Sequence, residues 1–192
     1  MDKILNKTIQ RTLVLIKPDG FQRGLVGEII SRFERVGLQI IGLGLVKPER
    51  KILEKHYLLR KEWVENLGRN TLKDFEELGI KDPLKLLSAK NVYEVGLKVR
   101  EWLINFMLSG PIVKIAIKGP RAVEVVRKIV GFTIPAKAEP GTIRGDYSAD
   151  IPIMATLEKR AVKNLIHASG NVQEAEYELK LWFKKDELID EI

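Results

Sequence analysis

Apolar and polar positions repeat with two different periods along this chain. Residues 12–16 (TLVLI) form a short apolar run that ends in Lys17-Pro18-Asp19-Gly20, a turn signal. Residues 25–36 place Leu25, Ile29, Phe33 and Val36 on one helical face, and Gly37 stops that helix. Residues 38–46 read as a second strand ended by Pro48, and 49–60 as a helix carrying His56 and Tyr57. Residues 61–108 are charged and helix-favouring, with an apolar seam of Trp102, Leu103, Phe106 and Met107 near their end. Residues 112–117 (IVKIAI) predict a third strand between Gly110-Pro111 and Gly119-Pro120, and 121–130 repeat Val123, Val126 and Val130 at helical spacing. After a Gly- and Pro-rich stretch over 131–160, residues 164–168 predict a short strand and 172–183 an amphipathic helix.

This order is a split βαβ pattern used twice. It predicts an α+β, ferredoxin-like βαββαβ sandwich with a four-stranded antiparallel sheet, helices packed on one face and a helical insertion. The segment 131–160 is too long for a passive connection, so it is expected to carry function.

Composition narrows the chemistry. In 192 residues there are 33 Lys and Arg against 26 Asp and Glu, a net charge of +7 that suits an anionic partner without choosing one. Zero Cys excludes disulfides, thiolate metal sites and thiol nucleophiles, and two His cannot build a His-rich zinc site, so no metal ligands are expected. The longest run free of Asp, Glu, Lys and Arg, residues 102–113, is too short to span a bilayer. The first ten residues lack a signal peptide's apolar stretch, so a soluble cytoplasmic protein is expected.

Few polar residues stand where chemistry is possible. His167 lies at the end of a short apolar strand, before a small-residue turn and a helix whose start is marked by Asn171 and Glu174, the spacing of a capping box. A helix start favours an anion, and a neutral imidazole is a competent nucleophile. Its second nitrogen needs a partner, and Glu178 lies on the same side of the following helix as Asn171 and Glu174. Alone, such a histidine is more often structural. Lys17 at a strand end suits an anchor for a transferring phosphate, and also an ordinary solvated turn. Arg144, in a Gly-rich setting, and Arg127, on a helix, can grip phosphate bidentately. For Arg127 an exposed partner of Glu124 is the simpler reading. No Walker-type glycine loop is present, and Gly42-Leu43-Gly44 is not a dinucleotide fingerprint.

Residues 11–30 (RTLVLIKPDGFQRGLVGEII) resemble the N-terminal motif of nucleoside diphosphate kinases. Residues 109–113 (SGPIV), 140–146 (PGTIRGD) and 164–169 (NLIHAS) look like the family's later motifs, in the family's order, and the closing EAEYELKLWF of 174–183 is also similar. The resemblance implies a ferredoxin-like homo-oligomer, commonly a hexamer or tetramer, covering residues 1–192 as a single domain with insertions at about 61–105 and 149–162. It implies ping-pong transfer of the γ-phosphate, mainly from ATP, to a nucleoside diphosphate with Mg²⁺, through a phosphohistidine at His167. By the same resemblance Glu178 orients the ring, and Ser169 supports the Glu178–His167 arrangement. Lys17 and Tyr57 meet the transferring phosphate, Arg127, Thr133 and Arg144 hold the phosphate tail, and Asn164 binds the sugar. Mg²⁺ rides on the phosphates.

The chain departs from the family pattern in two ways. Where the family usually has Gly-Ser-Asp after the histidine, this chain has Ala168-Ser169-Gly170. The stretch between Tyr57 and Ser109 is longer than usual, which leaves Trp63 as the candidate for stacking the base. A competing reading is a catalytically silent module that holds nucleotide or single-stranded nucleic acid on its sheet. Such modules stack bases on sheet aromatics, and the predicted strands contain none, so neither nucleic acid nor membrane is expected as a partner.

Overall fold

The structure, a computed structural model, describes residues 8–189. The stretch read above for a leader lies mostly outside them. Strand β1 (Ile9–Ile16) is followed by α1 (Pro18–Gln22), α2 (Val26–Glu34) and β2 (Gln39–Val46). Helix α3 (Arg50–His56) leads into α4 (Lys61–Glu77), α5 (Pro83–Leu86) and α6 (Val92–Leu108). Then come β3 (Ile112–Pro120), α7 (Ala122–Val130), α8 (Ile143–Tyr147), α9 (Pro152–Leu157), β4 (Ile166–Ala168) and α10 (Val172–Trp182). Among the described residues the four strands form one antiparallel sheet in the order β2-β3-β1-β4.

Alternation along β1 builds a core on each side of the sheet. Val14 and Ile16 face Ile29 and Phe33 of α2 and Ala122, Val126 and Val130 of α7. Leu13 and Leu15 face Leu53 of α3, Ile104 and Met107 of α6, and Leu179 and Trp182 of α10. Helices therefore cover both faces rather than one. The physical reason is that β1 and β3 are apolar on both sides and fully buried through most of their length, so neither face can be left to water.

Several local expectations shift. Strand β3 runs through Gly119 to Pro120, which pairs with Ile9. Pro120 is tolerated at the strand's last position. Helix α2 ends at Glu34, leaving Val36 exposed. The loop over 131–160 contains α8 and α9.

The 61–108 stretch folds as a hairpin. Glycines let α4 and α6 approach at backbone distance: a Cβ at Gly68 would sit 2.0 Å from the Val92 carbonyl oxygen, and one at Gly96 1.9 Å from that of Val64. A third, smaller core of Phe75, Leu87 and Val95 closes the hairpin, with Trp102 and Ile153 of α9 packed against it.

Candidate active site

Strand pairing brings the predicted residues together. Leu15 lies opposite His167, and the Lys17 backbone N–H donates to the Leu165 carbonyl (2.8 Å). Lys17 and His167 thus stand on the same face of adjacent strands, a diagonal pair. The entry to β4 is held by Asp19. Leu165 adopts a left-handed conformation (φ 68°), and its N–H donates to Asp19 Oδ2 at 3.0 Å. Asp19, itself buried, fixes the bend from which His167 emerges.

His167 Nε2 lies 2.9 Å from Glu178 Oε2, and the Ser169 hydroxyl donates to the same oxygen at 2.6 Å. The Leu13 N–H in turn donates to Ser169 Oγ (3.3 Å). Glu178 comes from the second and third turns of α10, whose start is capped by the Asn171 side chain accepting from the Glu174 N–H. The cap is not the reciprocal box that the spacing suggested. Glu174 accepts instead from the Gly170 N–H (3.0 Å). A Cβ at Gly170 would sit 2.6 Å from that carboxylate, so this glycine makes room for Glu174.

His56 completes the cluster. Its ring meets His167 edge-on at 4.5 Å, and its Nδ1 lies 3.2 Å from Glu178 Oε1 and accepts from the Trp182 indole N–H at 3.3 Å. His56, His167 and Glu178 bring ligand-type atoms within 4.8 Å of one another. The Ser169 hydroxyl and the His167 ring both meet Glu178 Oε2, and the Trp182 indole donates to His56 Nδ1, so hydrogen bonds tie this cluster to its surroundings.

The cationic groups lie on the other side of the ring. Lys17 Nζ donates to Asn164 Oδ1 (2.7 Å), and the Asn164 amide donates to the Thr133 carbonyl (3.0 Å). Arg144, buried, spends three N–H groups on the carbonyls of Asn164, Gly131 and Ile166, which leaves two of its five donors without a partner among the described residues. Lys17, Arg127, Thr133, Arg144, Asn164, Tyr57 and His167 all line one cavity of about 670 Å³. A second cavity of about 560 Å³ opens on the Glu178 side and shares only Tyr57 and His167 with the first. Trp63 lines the second cavity and stacks on Tyr57, and it is not part of the wall that Lys17 and Arg144 share. Trp102 lines the first. Its signal was the apolar seam of α6; what sequence could not show is which way that seam faces.

Burial dominates the electrostatics. It pushes the His167 imidazole down to about 3, helped by the Lys17, Arg144 and Arg127 charges and opposed by Glu174. Burial and then His167 push His56 down to about 3. Burial, aided by Arg144, lowers Lys17 to about 8, and burial with Arg127 lowers Arg144 to about 10. Burial raises the Tyr57 phenol and the Glu178 carboxyl, the latter opposed by His56 and Ser169. Both rings are therefore neutral near pH 7, beside a cavity wall that is positively charged.

The chain as a whole matches known proteins. The profile of the nucleoside diphosphate kinase family matches residues 10–67 and 88–188 and skips 68–87, the end of α4 and all of α5. A nucleoside diphosphate kinase of Pyrobaculum aerophilum is 48% identical over 95% of this chain and 99% of its own length. One of Thermomicrobium roseum is 37% identical over 94% of this chain and 92% of its own. Among solved structures, an NDP kinase from Pyrobaculum aerophilum superposes with a TM-score of 0.91 at 46% identity, covering 95% of this chain and all of that one. A transition-state mimic from Borrelia burgdorferi with vanadate and ADP gives 0.75 at 32% identity, covering 97% and 94%. Breadth of match, shared fold and a neutral histidine beside a cationic cavity agree: this chain belongs to the nucleoside diphosphate kinase family, enzymes that transfer phosphate between nucleotides.

Proposed function

We propose that this protein transfers the γ-phosphate of a nucleoside triphosphate to a nucleoside diphosphate by a ping-pong route through His167. The observation that carries the reading is the anchoring of one ring nitrogen. Nε2 donates to Glu178, so in the neutral ring the proton sits there and Nδ1 holds the lone pair. Nδ1 has no hydrogen bond among the described residues, and the ring lines the cavity that Lys17, Arg127 and Arg144 also line.

In the first half-reaction Nδ1 attacks the γ-phosphorus, the bond from phosphorus to the bridging oxygen breaks, and the diphosphate leaves with that electron pair. The ring then carries a positive charge, which Glu178 stabilises. In the second half-reaction a terminal oxygen of another diphosphate attacks the same phosphorus, and the P–N bond returns its electrons to Nδ1. Lys17 and the free donors of Arg144, with Arg127, Thr133 and Tyr57, are assigned to the phosphates, and Asn164 to the sugar. Alignment and charge stabilisation are most of the protein's work in such a transfer.

Mg²⁺ fits this cavity as a companion of the nucleotide. On the cavity's side of His167 stand the cations Lys17, Arg127 and Arg144, the Asn164 amide and the Thr133 hydroxyl; Glu178 lines the other cavity, and the carboxylates of this one, Asp74 and Glu77, belong to α4. Its ligands would be phosphate oxygens and water, and bound there it would neutralise part of the phosphate charge.

We assign residues 1–192 to one domain, with the insertions at about 61–105 and 149–162 closing the cavity. Exposed Leu43 and Leu45 on the sheet's edge strand β2 support a homo-oligomer, a hexamer or tetramer, which sedimentation would count. Among the described residues no helix is long and apolar enough to cross a membrane, and a cytoplasmic location agrees with the substrates.

The test uses purified protein, Mg²⁺ and γ-labelled ATP. An acid-labile, alkali-stable phosphoprotein that discharges onto added GDP or CDP and requires His167 is the expected result. Transfer at the wild-type rate by His167→Ala would end the proposal.

A further inference from the structure

The cavity beside His167 extends well past its phosphate-binding wall. A smaller adjoining cavity of about 150 Å³ shares Asp74, Glu77, Ile134, Lys137 and Pro152 with it and touches none of Lys17, Arg144 or His167. The shared residues therefore mark the end away from the histidine. The lining also includes an apolar set, with Val99, Trp102 and Leu103 from α6, Val130 from the end of α7 and Phe132 just beyond it. A nucleotide with its phosphates at Lys17 has apolar walls for the flat faces of its base and a polar end for the base's edge.

That polar end belongs to the inserted helix. Leu67, Asn70, Thr71, Asp74 and Glu77 recur at three- and four-residue spacing, so one face of α4 lines the cavity, with Lys73 at its margin. Thr71 spends its hydroxyl on the Leu67 carbonyl (2.9 Å), and Glu77 lies 3.8 Å from Lys73. Asp74 has no hydrogen bond and no ion pair among the described residues, although it is half-buried. Burial and the Glu77 charge raise its carboxyl, with Lys137 and Lys73 opposing, so water solvates this acceptor poorly.

A carboxylate in such a place discriminates among bases by chemistry alone. Guanine presents two adjacent donors on its Watson–Crick edge, N1–H and the N2 amino group, which match the two oxygens of one carboxylate. Adenine and cytosine set a single amino group beside a ring acceptor that a carboxylate repels. Uracil flanks its one donor with two carbonyls. We propose that Asp74 reads the Watson–Crick edge of guanine and makes this chain prefer guanine nucleotides, a specificity supplied by the inserted helix. The proposal rests on the nucleotide-kinase reading above.

The experiment measures kcat/KM for phosphate transfer from one labelled donor, ATP, to GDP, ADP, CDP and UDP, with wild-type protein, Asp74→Asn and Asp74→Ala. A bidentate pair discriminates between bases, and a half-exposed one does so modestly. Wild-type protein should favour GDP over the other acceptors by roughly tenfold. Both variants should lose that lead mainly through GDP's KM, and Asp74→Asn, which offers an acceptor and a donor, should gain on ADP. Melting temperatures check that the variants fold. Equal use of all four acceptors, or a GDP lead that both variants keep, overturns the proposal and leaves the kinase reading standing. If the protein transfers phosphate to no acceptor, the kinase reading fails. Calorimetric affinities for GDP against ADP in the same three proteins then decide the role of Asp74, and equal affinities overturn it.

Discussion

At one end of the cavity Lys17, Arg144 and His167 stand on or beside the paired strands β1 and β4, each held by hydrogen bonds to backbone or to another buried side chain. At the other end Asn70, Asp74 and Glu77 stand on α4, a helix joined to the rest through α6, α9 and a small core around Phe75. The first end can hold reacting atoms in place because its supports are rigid and its charges are desolvated. The second has half-exposed polar groups on an added element, an arrangement suited to choosing a ligand rather than transforming it. On the two proposals above, chemistry and selectivity lie in separate parts of the fold, and each should break separately.

The largest effect should come from His167→Ala. Losing the nucleophile should lower phosphate exchange by about 10⁴-fold or more, with the melting temperature little changed. Phe75→Ala acts at the opposite end. Emptying a fully buried aromatic site costs about 3–5 kcal/mol, so a thermal melt should reveal early loosening of the inserted hairpin. His167 labelling by ATP at saturating concentration should persist in that variant below the melt. If labelling disappears together with the hairpin, the two ends are not independent.

Glu178→Ala should misplace the ring and leave its charged intermediate without a partner, for a loss on the order of 100-fold in kcat. Unchanged turnover would remove Glu178 from the mechanism. Trp102→Ala should raise the KM of every nucleotide by roughly tenfold, since stacking is worth about 1–3 kcal/mol per base and does not read the base's identity. A change confined to one nucleotide would place the base elsewhere.

The smallest effect is on pH dependence. Burial favours the neutral amine of Lys17, so in the free protein it loses its proton near pH 8 and kcat/KM should decline above that value. The nucleotide-bound protein should hold its kcat to higher pH, because a phosphate beside the amine favours the ammonium. His56 and His167, held neutral down to about pH 3, predict no activity loss from ring protonation between pH 5 and 7. The same displacement sets the acid limb of stability. The unfolded chain binds protons first, so stability falls as pH drops from about 6.5 toward 3. A melting temperature that rises over that range on acidification would contradict the burial of both rings.

Much of this was legible in the chain. The apolar runs at 12–16 and 112–117 and the helical faces at 25–36 and 121–130 are local patterns, and sheet and helices followed them, because periodicity reports which side of an element must be buried. Glu178 was placed beside His167 by helical spacing from Asn171, and the geometry agrees. Other features were out of reach. Asp19 acts through the backbone of Leu165, which lies 146 residues away. The face on which α6 carries Trp102 depends on where the hairpin docks. The covering of both sheet faces required knowing that β1 and β3 are central strands.

By itself, then, the sequence determined the order of elements, the pairing of His167 with Glu178 and the family, because each of these is carried by residues close in the chain or by motifs in a set order. Only the tertiary structure decided that Trp63 and Trp102 face different cavities, that Arg144 is largely committed to carbonyls, and that α4 lines the cavity beside His167. Those outcomes depend on which surfaces meet across long stretches of chain, and hydrophobic burial, being non-directional, specifies that elements pack without specifying in the sequence where they dock.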